Sequence, residues 1–572
     1  MRNLLRKPWI YNLILAWLLT ALGFLAAGGS DFMSKGFVQD INIILFAGIM
    51  IVLWVIIDLL PDTKFIRILM ITTCMIYFTS VSSIRGDNLY TLALCALFGG
   101  ILYFTDISDI RLKIDRRIAY VTVICLTLIF IGVIGGNCCL IILNHGTACF
   151  DFGLFSQMFR YMKNTGLPYT TCERDFLMSH FAVHMSPAYY LIMPVYYLIP
   201  SPLTLDICQA VIVASGIIPL LKIMKHLSIS NVAIIMFSLM YLLFPGFAGG
   251  CFFHLHENCF LAPFVLWLVY AFEKESSILR IVFTILVLSV KEDAAIYAAS
   301  IALYFLLVNK KRILNSVILI CSVLYFMCVT HYLTNSGDGV MMSRYNDLLL
   351  DGNGFMSMIT TIAKDPAYLI SQISITDKLT FLALSLLSLG GFPILTKDAR
   401  RYILFIPYLL IHLMPNHHYQ YEFNWQYCFG TCALLIYLAV INYKDIKRPK
   451  ALLFGVCCSL MIMISVNSPR LTYLTTYSNK TEVRNKINAA METIPQDASV
   501  AASTFLITDL SDHKELYELE RTNQKTEYYA LELDRKSDDY HIEDYLNNQY
   551  ELIFYEPDVI AVFRDKAYGN SI

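Results

Sequence analysis

The chain has 572 residues, of which 57% are hydrophobic and only 15% are charged. This composition excludes an ordinary soluble enzyme and is typical of a protein that crosses a membrane many times. The formal net charge is −1. The sequence contains no glycine-rich phosphate loop, no metal-ligand motif and no nucleic-acid-binding signature, so a nucleic acid is not an expected partner.

Apolar runs recur along the chain from residues 9–28 to residues 449–467. A bilayer core of about 30 Å needs roughly 20 apolar residues per helix, and the runs therefore predict about fifteen transmembrane helices. The first run is one of many, which makes a cleaved signal peptide the poorer interpretation. Residues 187–200 include three prolines and predict a broken or re-entrant segment that does not fully cross.

Basic clusters between the runs indicate the orientation. Examples are the clusters at 2–7, 111–117, 310–312 and 444–450. Short loops rich in Lys and Arg stay in the cytoplasm. This rule places the following segments outside: 144–186, 250–258, 333–376, 416–424 and 468–572.

Three regions follow from these patterns. Residues 1–117 predict a four-helix membrane extension with no sign of chemistry, and residues 118–467 predict the membrane core, with an external loop at 144–186. Residues 468–572 predict a soluble extracytoplasmic domain; from residue 478 onward they hold 19 acidic and 10 basic residues. One helical segment and short strand-like segments such as EYYALEL and YELIFYE make this an α/β domain. The predicted fold class is an α-helical polytopic membrane protein with a small C-terminal α/β domain.

Asp151 is the strongest candidate for a catalytic residue. It follows the apolar run 118–143 in the segment FDFG. A carboxylate between two phenylalanines at a membrane boundary is partly desolvated, which raises its proton affinity and suits a general base. Alternatively, Asp151 caps the amphipathic helix GLFSQMFRYM, which is expected to lie flat in the outer interface with Arg160 free to bind phosphate.

Further polar groups are predicted on the same side of the membrane as Asp151. They lie in the external loop, in the segment HLHEN, in the Lys–Glu–Asp triplet between two short apolar runs, and in NHHYQYEFNWQY. Ionisable groups at membrane depth are costly unless they are paired or functional. The candidate substrate-binding residues are Arg160, Arg174, Asp175, His180, His184, His256, Glu257, Lys291, Glu292, Asp293, His417 and Tyr427.

Each of these groups has a plainer interpretation. His180 and His184 could bind a metal, but such a pair is more often hydrogen-bonded structure. The aromatic residues near His417 are expected in an interfacial belt. The 16 cysteines lie mostly in apolar runs as small hydrophobes, while Cys149 and Cys172 share the external loop and could pair.

Several segments resemble a family of predicted multi-pass bacterial membrane proteins, domain of unknown function 2079. They include FDFGLFSQMF, SHFAVHMSPAYYLIMPVYYLIP, HENCFLAPF, LSVKEDAAI and IPQDASVAASTFLITDLSD. That family is similar in turn to the glycosyltransferase C superfamily. Those enzymes transfer a sugar from a polyprenyl-phosphate carrier outside the membrane, usually with inversion, and carry an acidic residue in the first large external loop.

The resemblance implies a function for several candidates. Asp151 matches the acidic residue of the superfamily and would deprotonate the acceptor, although the chain lacks the second adjacent acid of some members. Arg160, Arg174 or Lys291 would hold the leaving phosphate. His180, His256 and Glu292 would orient donor or acceptor.

The expected protein is therefore a glycosyltransferase C-like bundle in a bacterial plasma membrane. Its implied partners are a polyprenyl-phosphate-linked sugar, membrane lipids and a cell-envelope acceptor. No soluble cofactor is implied, and the need for a divalent metal stays open. The alternative function is that of a non-enzymatic transporter or lipid-binding protein, which would need polar or broken helices along a path through the membrane.

Overall fold

The computed structural model describes residues 8–28, 35–60, 63–83, 88–105, 114–308, 312–339, 342–349, 354–534, 542–546 and 549–568. The basic clusters at 2–7, 111–113 and 310–311 lie outside these residues. Helices dominate, and a small mixed sheet forms near the C-terminus. The predicted fold class, a helical multi-pass bundle with a C-terminal α/β region, is confirmed.

The described part of residues 1–117 contains five helices that end by residue 104, four long ones and the six-residue helix α2; this segment is the predicted N-terminal extension. The five helices are α1 (Pro8–Gly28), α2 (Lys35–Asp40), α3 (Ile43–Asp58), α4 (Thr63–Ser83) and α5 (Asn88–Phe104). Helix α1 packs on α3 and α4.

In the described part of residues 116–471, eighteen α-helices follow. They are α6 (Arg116–Phe130), α7 (Gly136–Leu143), α8 (Leu154–Thr165), α9 (Met193–Leu198), α10 (Pro202–Ser215), α11 (Ile217–His226), α12 (Asn231–Leu242), α13 (Pro245–Cys251), α14 (Leu261–Glu273), α15 (Ser277–Leu288), α16 (Ala295–Val308), α17 (Arg312–Ser336), α18 (Phe355–Lys364), α19 (Pro366–Ile373), α20 (Thr376–Leu387), α21 (Ile406–Tyr408), α22 (Phe429–Ile446) and α23 (Pro449–Leu471). Helices α4 and α5 pack on α23, which joins the extension to this bundle.

Side-chain caps mark where several membrane helices begin. Asn42 accepts hydrogen bonds from two backbone N–H groups at the start of α3, and Asp115 accepts one at the start of α6. Ser201, Ser230 and Ser276 cap α10, α12 and α15 in the same way. The first N–H groups of a helix have no partner within the helix, so these polar residues set the start of each apolar run.

Seven helical segments of the described chain are long and apolar enough to cross a membrane, or eight if the bent pair α19–α20 counts as one. Four shorter apolar helices add to these. The predicted number of about fifteen crossings stays a prediction. The segment 187–200 is broken, as predicted: a 3₁₀ helix at Pro187–Leu191 precedes the short helix α9.

The C-terminal region begins with α24 (Tyr473–Asn479) and α25 (Thr481–Met491). The first two strands of the chain, β1 (Tyr169–Thr170) and β2 (Met178–Ser179), form a separate antiparallel pair in the loop before α9. The sheet of the C-terminal region contains β3 (Val500–Ala502), β4 (Leu516–Glu518), β5 (Tyr528–Glu532), β6 (Tyr550–Glu556) and β7 (Ile560–Asp565). The strand order is β4-β3-β5-β7-β6. Strand β3 is parallel to β4 and β5, whereas β7 is antiparallel to β5 and β6.

Helix α8 is a correction to the sequence-based interpretation. Its apolar residues Phe155, Met158, Phe159 and Met162 are buried in protein rather than facing lipid. Phe159 packs against Tyr189 with ring centroids 5.5 Å apart. Amphipathic spacing identifies the buried face of a helix, but not whether protein or lipid covers it.

Gly249 offers a test of how tightly α13 meets the segment 417–427. A Cβ at this position would lie 2.1 Å from the carbonyl oxygen of Phe423. We expect Gly249→Ala to lower the free energy of unfolding by about 1–3 kcal/mol, because the backbone would have to move. Thermal unfolding of the purified protein in detergent measures this. Gly48→Ala is the control, since its Cβ would meet nothing within 4 Å, and an equal effect of the two changes would contradict the packing.

Candidate active site

Asp151 lies at the centre of a strained turn. Its backbone angles are φ 81° and ψ −80°, close to those of a classic γ-turn, which is rare and strained. Such a conformation costs about 1–3 kcal/mol and persists only where the surroundings enforce it. Helix α8 starts three residues later without a side-chain cap, so the helix-cap interpretation of Asp151 is wrong.

The C-terminal domain holds this turn. The backbone N–H of Cys149 donates to Thr504 Oγ1 (3.0 Å), and Thr147 Oγ1 donates to Thr508 Oγ1 (2.8 Å). A Cβ on Gly153 would lie 2.9 Å from the side chain of Ile507. Contacts on both sides of Asp151 therefore come from residues about 350 positions later in the chain.

Asp151 opens into a cavity of about 460 Å³. The cavity also receives four cationic side chains, of Arg174, Lys291, Arg344 and Arg521. Among the described residues the Asp151 carboxylate accepts no hydrogen bond. Burial, with help from Glu257, raises the pKa of Asp151 to about 7, although Lys291 opposes the shift. A carboxylate with this pKa is suited to take a proton near neutral pH.

A buried ionic network lies behind the cavity. Lys291 Nζ is 3.1 Å from Glu257 Oε1, and Glu257 is completely buried. Tyr189 donates its hydroxyl proton to Glu257 Oε2 (2.5 Å), and His256 Nδ1 is 3.1 Å from the same oxygen. Breaking such a pair on one side would leave an uncompensated buried charge. The network therefore fixes the position of the Lys291 ammonium group.

The protonation states in this network differ between neighbours. Burial lowers the pKa of His256 to about 3, so this imidazole is neutral near pH 7. Burial opposes the ionisation of Glu257, but His256 and Lys291 lower the pKa of this carboxyl below its usual range. The resulting Lys291–Glu257 pair is ionised on both sides.

The two histidines of the external loop, His180 and His184, contact different carboxylates. His180 Nδ1 lies 3.0 Å from Glu173 Oε2, and His184 Nδ1 lies 2.9 Å from Glu292 Oε1. The segment is a 3₁₀ turn at His180–Ala182 rather than a longer helix. Over the described residues, no three His, Cys, Asp or Glu side chains come together as a metal site.

The structure separates two of the predicted residues from the cavity. Arg160 Nε lies 3.2 Å from Asp512 of the C-terminal domain. The Asp175 carboxylate accepts hydrogen bonds from the Thr522 hydroxyl and from the Asn523 N–H. Neither side chain lines the Asp151 cavity. Arg160 is therefore not free to bind phosphate, contrary to the expectation from the sequence; both residues instead bind the external loop to the C-terminal domain.

Two cationic residues of the cavity were not predicted from the sequence. Arg344 lies in a 3₁₀ segment, Met342–Leu348, and its guanidinium lies 5.2 Å from the ring centroid of Tyr427. Arg521 comes from the C-terminal domain and stacks over Phe150 at 4.4 Å. A single basic residue in a polar loop carries no sequence signal, because only the tertiary fold brings it to Asp151.

The segment 417–427 forms an aromatic wall. Tyr419 and Trp425 have ring centroids 3.8 Å apart, and His417 lies 4.9 Å from Tyr419. His417 and Tyr427 line the Asp151 cavity, as do His180, His184, His256 and Lys291. Glu257 and Glu292 lie beside it through their contacts with Lys291 and His184. Asp293 does not line this cavity. Cys149 and Cys172 are both free thiols, so the pairing that their shared loop would allow is not formed.

One family model matches residues 143–564, which contain every candidate residue and all but the last residue of the sheet of the C-terminal domain. The chain belongs to the DUF2079 family of predicted membrane proteins. The predicted family is confirmed. No curated protein matches this DUF2079 chain significantly.

Two solved structures are similar to this DUF2079 protein. ArnT from Cupriavidus metallidurans bound to undecaprenyl phosphate is 11% identical, with a TM-score of 0.45, and the match covers 78% of this chain and 97% of ArnT. ArnT from the same organism in the apo state is 9% identical, with a TM-score of 0.39 and the same coverage. Both TM-scores are below 0.5, a level that establishes no shared function.

The strain at Asp151 can be measured with two substitutions that both remove the carboxylate. Glycine adopts a positive φ freely, whereas alanine does not. We expect Asp151→Gly to be more stable than Asp151→Ala by about 1 kcal/mol, because only glycine relieves the turn. Thermal unfolding in detergent compares the two. Equal stability of the variants would mean that the turn is not strained.

Proposed function

We propose that this protein is a membrane glycosyltransferase that moves a sugar from a polyprenyl-phosphate donor to a hydroxyl group of a cell-envelope acceptor. One observation carries the proposal: Asp151, with a pKa near 7, shares a cavity with Arg174, Lys291 and Arg344. A base beside a cluster of cations is what transfer from a phosphate ester to a hydroxyl requires. The sequence resemblance points to the same chemistry.

In the proposed reaction Asp151 takes the proton of the acceptor hydroxyl as its oxygen attacks the anomeric carbon of the sugar. The bond between that carbon and the phosphate oxygen breaks with its electron pair on the phosphate. The products are a glycoside, polyprenyl phosphate and protonated Asp151, which then returns its proton to water. Attack and departure occur on opposite faces of the sugar, so the configuration inverts.

The leaving phosphate gains negative charge as the bond breaks. Lys291, held by Glu257, and Arg344, held against Tyr427, are cations at the cavity wall. Arg174 is tied to Asp338 by two hydrogen bonds of 2.8 and 2.5 Å from Nε and Nη2. Fixed cations stabilise developing charge without reorganising during the reaction. Lys291 and Arg344 would contact the phosphate directly. Arg174 would orient the external loop, and its positive charge would stabilise the phosphate from a greater distance.

The membrane surroundings fit a lipid-linked donor. The broken segment after His184 exposes Leu191, Leu198 and Ile199, and α17 exposes Leu324 and Met327. Exposed apolar residues on a membrane protein face lipid, where a polyprenyl chain dissolves. We place the cavity and the C-terminal domain on the outer side of a bacterial plasma membrane, as the basic clusters indicate.

A transfer assay with matched variants tests this function. Purified protein in lipid is mixed with radiolabelled polyprenyl-phosphate sugars and a cell-envelope extract, and label in the acceptor fraction is counted. We expect transfer by the wild type and a loss of at least about 100-fold in Asp151→Asn, the range of general base catalysis. Asparagine tolerates a positive φ, so the turn should survive.

Asp558→Asn is the control, because Asp558 also has a positive φ (57°) but lies in an exposed turn between β6 and β7. It should transfer label at the wild-type rate. Folded wild-type protein that transfers from no donor would overturn the proposal and favour transport or lipid binding. Full transfer by Asp151→Asn would remove Asp151 from the role of base.

A further inference from the structure

A second cavity, of about 310 Å³, adjoins the one that contains Asp151. The two cavities share the side chains of Arg174, His184, Lys291, Arg344 and Tyr427. The cations proposed to hold phosphate therefore stand on the boundary between two spaces. A volume near 300 Å³ is at the lower end for small-ligand sites.

Three buried acceptor oxygens in the walls of the second cavity have no hydrogen-bond donor among the described residues. They are Glu292 Oε2, Asp293 Oδ1 and Gln420 Oε1. Buried polar atoms are nearly always satisfied, and leaving one unpaired costs about 1–3 kcal/mol. Three of them on residues that line one small cavity favour a ligand that supplies several donors once these side chains turn toward it.

The nearby charged groups are already paired with other partners. Glu292 uses its other oxygen to contact His184, and Asp338 binds Arg174. Lys291 contacts Glu257. Burial raises the pKa of Asp293, and the charge of Lys291 only partly opposes this. Asp293 is thus the carboxyl group of this cavity without an ionic partner in the described chain.

Part of the remaining wall is apolar and aromatic, from Ile296, Phe326, Tyr345 and Tyr427, and Thr330 and Ser343 add hydroxyl groups. Phe326 and Thr330 belong to α17, a candidate membrane span in which only 17% of the most apolar stretch is buried by the rest of the protein. One wall of the second cavity is therefore formed by a helix whose other side faces lipid. Aromatic faces with convergent polar groups are typical of pockets that orient a small polar ring.

We propose that the second cavity binds the sugar ring of the lipid-linked donor, with ring hydroxyls donating to Asp293, Glu292 and Gln420. The inference rests on the proposed glycosyl transfer and divides the site between its two substrates. The acceptor hydroxyl lies with Asp151 in the first cavity. The phosphate lies at the shared boundary, beside Lys291 and Arg344.

Other occupants fit the second cavity less well. An anion is favoured at the shared boundary, where Arg174, Lys291 and Arg344 lie, but deeper in the second cavity it would face three acceptor oxygens, which repel it. A bare hydrocarbon chain would leave all three oxygens unsatisfied. A ring with several hydroxyl groups satisfies them and packs its apolar face on the aromatic wall.

Binding of two matched lipids tests the inference. Purified protein in nanodiscs is titrated with undecaprenyl phosphate, and with a panel of undecaprenyl-phosphate sugars that includes hexoses, an N-acetylhexosamine and a pentose. We expect the wild type to bind at least one sugar lipid about tenfold more tightly than the plain phosphate. Asp293→Asn should abolish this preference, because a charge-assisted hydrogen bond is lost, and should leave undecaprenyl phosphate binding unchanged.

Asp377→Asn, at an exposed position in the first turn of α20, is the matched control and should bind both lipids as the wild type does. If Asp293→Asn weakened the binding of both lipids equally, the inference would be overturned, and the role of Asp293 would be to maintain the fold. A wild type with no preference for any sugar would also overturn it, while leaving the transfer reaction intact. Binding of neither lipid would contradict the proposed function itself.

Discussion

The account depends on the strained turn at Asp151. An aspartate with a positive φ would relax in an isolated loop, and here it is held by hydrogen bonds to Thr504 and Thr508 and by the close fit of Gly153 against Ile507. The C-terminal domain is thus part of the site and not an appended module. Its position determines where the carboxylate points, how far water is excluded, and hence the raised pKa of Asp151. Arg521 of the same domain adds a cation to the cavity wall.

Fixed charge is the second requirement of the site. Lys291 is held by a fully buried glutamate that also binds Tyr189 and lies beside His256. These groups come from three separate loops, between helices that share one apolar core. A buried ion pair adds little net stability, but it holds both groups in one place. Burying Glu257 costs free energy, and what this burial provides is a Lys291 ammonium group that is held in one position.

The sequence predicted the features that depend on local pattern. Hydropathy predicts the helical membrane bundle, and the polar loop after the run 118–143 indicates Asp151. The short apolar and aromatic segment YELIFYE predicts a strand, and β6 covers the same residues, 550–556. The residues whose roles were wrongly predicted have partners that are distant in the sequence. Arg160 was expected to be free to bind phosphate because its partner, Asp512, lies more than 350 positions away. Arg344 and Arg521 gave no signal, since each is an isolated cation in a polar segment that only tertiary packing brings to Asp151.

The protonation of Asp151 tests the account most directly. Infrared difference spectroscopy of the wild type against Asp151→Asn, over a range of pH, isolates the carboxyl band of this residue. Because burial favours the neutral acid, the account predicts a protonated band below pH 7 that disappears on raising the pH, with a midpoint near 7. A midpoint near that of a solvated aspartate, around 4, would show that the turn and the domain do not desolvate Asp151 and would contradict its role as the base.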